Sequence, residues 1–92
     1  MNEVEVGEIV ESIAGRDKGN LYIVAKIVNT KYVEVVDGKS KKVNNKKRKN
    51  TKHIKKTGVV AEELSRWLKE GKRVRNEDIK LVIKDYEDYK EA

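Results

Sequence analysis

Val6-Gly7-Glu8-Ile9-Val10-Glu11-Ser12-Ile13-Ala14-Gly15-Arg16-Asp17-Lys18-Gly19 leads directly into Asn20-Leu21-Tyr22-Ile23-Val24-Ala25-Lys26-Ile27-Val28. The second half alternates. Leu21, Ile23, Ala25 and Ile27 share one face of an extended chain, and Tyr22, Val24, Lys26 and Val28 share the other. β-Branched residues are dense, as strands prefer. Between the two apolar halves lies the turn 14–19. Gly15 and Gly19 free the backbone at its ends, and Asp17 is placed to bond forward to backbone amides, as Asx turns do. Arg16 and Lys18 are pushed into solvent at the tip. The segment therefore predicts two strands joined by a tight turn that presents two cations.

Working outward, residues 4–13 read as the first strand, with Val4, Val6 and Val10 on one parity and Ile9 and Ile13 on the other. Residues 32–36 read as a third strand, and Asp37-Gly38 is a hairpin signal because glycine tolerates positive φ. Residues 41–44 and 52–54 are the candidates for further short strands. Strands spaced by roughly ten residues, with turn chemistry between them, predict a small barrel.

The last third changes period. Val60, Leu64, Trp67 and Leu68 fall on one face of a helix, with Trp67 as its anchor, and Gly71 stops it. Asn76 is a good N-cap for a second helix, with Glu77 and Asp78 at its positive end. Ile79, Val82, Ile83 and Tyr86 form its apolar stripe. The expected fold class is mainly β with α. A small barrel spans residues 1–57, and one or two short C-terminal helices in residues 58–92 pack on it.

Charge is distributed unevenly. The 92-residue chain has a net charge of +6. Residues 38–58 hold ten basic side chains and no acid, whereas the flanking segments are slightly acidic. Such density is self-repulsive unless something anionic meets it. Phosphate backbones fit, because lysine and arginine release their condensed counterions. A membrane surface would also attract the run, but Val43 and Ile54 are its only large apolar side chains, too few for an inserting face.

Other classes are disfavoured by composition. The absence of Cys excludes disulfide staples and thiolate zinc sites, and one histidine, His53, excludes a His-rich metal site. There is no phosphate-cradling glycine loop before a helix and no carboxylate pair in an apolar setting. We expect no catalytic residue, no metal and no cofactor. No stretch approaches the roughly 18 apolar residues of a spanning helix. The acidic, alternating N-terminus reads as neither a signal nor a transit peptide. A monomeric cytoplasmic protein is expected.

The run from Val6 to Gly19, with the alternating residues that follow, resembles a KOW motif, and Gly19 matches its characteristic glycine. The motif is shared by several ribosomal proteins and transcription elongation factors. Asp37-Gly38 followed by Lys46-Lys47-Arg48-Lys49-Asn50-Thr51-Lys52-His53-Ile54 is similar to a narrower group. These are small bacterial KOW-domain RNA-binding proteins related to KOW-type proteins of the large ribosomal subunit. The resemblance covers about residues 4–57; the short, slightly acidic helical tail departs from the longer extensions of the ribosomal relatives. It implies an SH3-like barrel that binds RNA, often ribosomal RNA, through the KOW turn and nearby strand ends.

Carried onto this chain, the resemblance and the charge pattern implicate Arg16, Lys18, Lys39, Lys41, Lys42, Lys46, Lys47, Arg48, Lys49, Lys52, His53, Lys55 and Lys56 in RNA binding, with Gly15, Asp17 and Gly19 shaping the turn. Nine of the ten cations in the run are lysines. Lysine is a hydrated point charge, so the composition favours phosphate tracking on structured RNA over base readout. Tyr22 and Tyr32 are candidates for base stacking or for covering the core. The expected partners are RNA, foremost ribosomal RNA, and ribosomal proteins, with a role in translation. The alternative is a protein-interaction adapter that uses a sheet edge, as in elongation-factor KOW domains, with Glu3, Glu5, Glu8 and Glu11 of the first strand as its surface.

Overall fold

The computed structural model describes residues 3–91. Its strands are β1 (Glu8–Ser12), β2 (Leu21–Ile27), β3 (Tyr32–Val36), β4 (Lys47–Asn50) and β5 (Ile54–Val60), followed by α1 (Glu62–Lys69) and α2 (Asn76–Glu91). A single 3-10 turn, Thr51–His53, separates β4 from β5. The strands form one antiparallel sheet in the order β4-β3-β2-β1-β5.

Both faces of this sheet are apolar. On one face Ile9, Ile23 and Val36 meet Leu64, Val74 and Ile79, with Trp67, Leu68, Val82, Ile83 and Tyr86 packed around them. On the other face Val10, Tyr22, Val24, Val33, Val35 and Ile54 form a second cluster. No helix residue belongs to that second cluster, yet its members are buried. Val4 packs against them. Register shifts between Glu8 and Val10 and between Val24 and Lys26 supply local bends, as bulges do.

Two glycines seat the helices. A Cβ on Gly7 would lie 2.5 Å from Ser65 Cβ, and one on Gly38 would lie 2.5 Å from the Asn76 carbonyl oxygen. Both have positive φ, so a side chain would be strained as well as crowded. Gly7 also passes the chain into α1: its carbonyl accepts from Ala61 N–H at 2.9 Å.

The structure corrects several expectations. Residues 41–44 form no strand. Asp37 instead closes a tight turn, accepting from the Lys39 and Lys41 N–H groups. Residues 52–54 hold most of the 3-10 turn, and only Ile54 opens a strand. The first strand is shorter than residues 4–13. Val60 belongs to β5, opposite Glu8, so the sheet continues past residue 57 and α1 begins at Glu62. Asn76 does not cap its own helix. Its side chain accepts from Val43 N–H at 2.9 Å, while Asp78 reaches back to Arg75 N–H. Gly71 does stop α1: its N–H and that of Lys72 return to the carbonyls of Leu68 and Trp67.

Candidate nucleic-acid interface

The β1–β2 turn closes through Gly19 N–H on the Ser12 carbonyl and Ser12 N–H on the Asn20 carbonyl. Gly15 and Gly19 have positive φ. Asp17, however, does not make the forward Asx bond expected of it. Its carboxylate folds inward and accepts from Ser12 Oγ at 2.9 Å, Tyr22 Oη at 2.7 Å, Lys49 Nζ at 2.9 Å and Lys47 Nζ at 3.4 Å. Burial alone would raise its pKa. The bonds from Tyr22, Lys49 and Ser12, with the Lys49 charge, outweigh that and hold it well below the usual carboxylate range. The same burial, together with the bond to Asp17, pushes the Tyr22 hydroxyl up to about 12.

This network takes up one tyrosine and two lysines. Tyr22 is 1% exposed and offers no stacking face. Tyr32 is half-buried, with the Arg48 guanidinium 5.8 Å from its ring centroid. Lys49 is 7% exposed and donates to both Ser12 and Asp17, so its charge is engaged inside the fold. Lys47 and Lys49 alternate with Arg48 and Asn50 along β4, and the two lysines turn inward. Lys56 is also engaged: it pairs with Glu8 at 3.8 Å and donates to the Glu3 carbonyl.

The remaining candidates stay available. Arg16, Lys18, Lys39, Lys42, Lys46, Arg48, Lys52, His53 and Lys55 are exposed, and Lys41 is half-exposed. Among the described residues none of these forms an ion pair. They fall into two neighbouring groups. The antiparallel order sends the β1–β2 turn and the β3–β4 connection out of the sheet at one end, so Arg16, Lys18, Lys39, Lys41, Lys42 and Lys46 gather there. Lys80 joins them, because its Cγ lies 3.0 Å from where a Gly38 Cβ would stand. No sequence signal marked Lys80, which sits on a different element. The second group is Arg48, Lys52, His53 and Lys55, around the 3-10 turn. Ile13 N–H bonds the His53 carbonyl at 2.9 Å and so ties this turn to the β1–β2 turn.

Beside the second group opens a recess of about 900 Å3, with Ile13, Ile27 and Ile54 in its wall and Lys52, Lys55 and Lys56 around it. No group of three or more His, Asp or Glu among the described residues is placed to hold a metal. No helix among them is long and apolar enough to cross a membrane. Of the four acids named for the adapter reading, Glu8 on β1, between β2 and β5, is 1% exposed and accepts from Glu5 and Gly58 N–H groups, whereas Glu3 and Glu5 are exposed and Glu11 is half-exposed. Comparison with protein-family models and with curated protein sequences finds no match for the chain.

Proposed function

We propose that the chain is a non-enzymatic RNA-binding module of the SH3-like KOW type, acting on structured RNA such as ribosomal RNA. The observation that carries this reading is the distribution of unpaired cations. Acids neutralise Lys47, Lys49 and Lys56, whereas the rest of the run and the flanks of Asp17 have no ion-pair partner among the described residues. A five-stranded antiparallel sheet with buried apolar residues on both faces, in which β5 returns to β1, supports the barrel part of the reading.

Affinity comes from phosphate neutralisation along the sheet end and the 3-10 turn. The isoleucine-walled recess suits one unstacked base, with its phosphates on Lys52 and Lys55. Arg48 is held over Tyr32, and its guanidinium plane offers a second stacking surface. Titration of folded ribosomal RNA fragments across a salt series tests the proposal. With about five to seven phosphates engaged, the log–log slope is about −4 to −6, shallower on single strands. Absence of a complex at physiological ionic strength defeats it.

A further inference from the structure

A groove of about 660 Å3 runs along the helices, and no residue of the lysine run lines it. It is lined by Ile9 and Leu64 of the first core cluster and by Trp67, Val82 and Tyr86 packed against that cluster. Leu81 and Tyr89 of α2 also line it, and they are 60% and 76% exposed. Single exposed apolar residues are ordinary, but several contiguous ones around a concavity mark a contact surface.

The charge around the groove has one sign. Glu62, Glu63, Asp78 and Asp85 line it, and no Lys, Arg or His does, in a chain with 22 Lys and Arg against 16 Asp and Glu. Glu62, Glu63 and Asp78 lie in first turns, where the helix dipole favours acids. Asp85 lies in the middle of α2, where the dipole gives no such reason. Glu62, Glu63 and Asp85 form no ion pair among the described residues.

We infer that this groove docks a segment of a partner protein: a short amphipathic helix whose apolar residues, three or four apart, are flanked by lysine or arginine. Two helices with an open apolar seam accept a third in this way. The acids around the groove repel polynucleotide. They attract a basic peptide, and its apolar residues fill the seam beside Trp67. A second copy of this chain is a poor occupant. Its basic run carries Val43 and Ile54 as large apolar side chains, and Ile54 is buried.

Selection of dodecamer peptides displayed on phage against the full chain tests this inference. Selected peptides are then titrated by fluorescence of Trp67, the chain's one tryptophan. The expected consensus has apolar residues three or four apart beside lysine or arginine, with affinity that falls as salt rises. Leu81→Glu weakens binding at least about tenfold, as loss of a central anchor does. Its thermal midpoint stays near that of the parent, because Leu81 already faces water. No enrichment, a consensus without basic residues, or undiminished binding by Leu81→Glu overturns the inference. So does concentration-dependent self-association that Leu81→Glu abolishes, because the occupant is then a second copy.

Discussion

Lys49 Nζ donates to Asp17 Oδ1 at 2.9 Å across 32 positions of sequence, joining β4 to the β1–β2 turn. The pair is largely shielded from water, with side-chain exposures of 8% and 12%. Removing Asp17 leaves the Lys49 charge without its acid. Asp17→Ala is therefore expected to lower unfolding free energy by about 3–5 kcal/mol, read from urea denaturation. Lys49→Met should cost less, because an apolar side chain suits that site and Asp17 keeps Ser12 and Tyr22.

The same aspartate sets an acid limb. Its folded pKa lies below its unfolded value of about 3.9, so its stabilisation is complete above that pH and lost as pH falls through the folded pKa. Stability measured by denaturant at successive pH values should decline below about pH 4. In Asp17→Asn that decline should be shallower.

Tyr22 sets an alkaline limb of opposite sign. Its folded pKa of about 12 lies above the ordinary value of 10.0, so its stabilisation is complete below the ordinary value and lost as pH rises towards the folded one. The parent should lose stability over that interval. Tyr22→Phe should lose less there, while being weaker at neutral pH by about 1 kcal/mol for the missing hydrogen bond.

Binding and stability separate along the lysine run. Lys46→Glu, Arg48→Glu, Lys52→Glu and Lys55→Glu together should abolish RNA binding and leave the thermal midpoint nearly unchanged, since all four are exposed. Lys47→Glu with Lys49→Glu should instead unfold the protein, placing acids against Asp17. Gel shift and circular dichroism on both sets give the answer. Intact binding by the first set excludes those side chains as phosphate contacts.

Gly7→Ala tests the seat of α1. The added methyl meets Ser65 Cβ, in a backbone conformation that side chains resist. Overpacking and strain together should cost about 2–4 kcal/mol. Thermal denaturation reads it, and a Ser65→Gly second-site change should restore part of the loss.

The first three strands were legible because their apolar residues alternate or lie dense enough to bury both faces, as in β2. β4 was not. Its inward positions are Lys47 and Lys49, so the pattern that marks a strand is written in cations and answered by one acid far away in sequence. No local signal distinguishes a bracing lysine from a solvated one. Asp17 escapes a sequence reading for the same reason: a turn aspartate bonds its own backbone by default, and its four side-chain donors lie on three other elements. Val60 fits the helix period by coincidence, because the last residue of a strand can fall in step with the helix that follows. Asn76 looked like a cap, but tertiary folding gave its oxygen to Val43. For the candidate site, the charge run located the exposed lysines, but not which of them are neutralised internally or that Lys80 joins them.

Arg16 and Lys18 flank a carboxylate gripped by four donors, so the tip between them is already set in shape in the free molecule. A ligand arriving there does not have to freeze a wandering loop, and the usual entropic toll of recognition by surface turns is small. The firmness of the tip comes from an aspartate turned into the fold, away from the face that Arg16 and Lys18 offer to solvent.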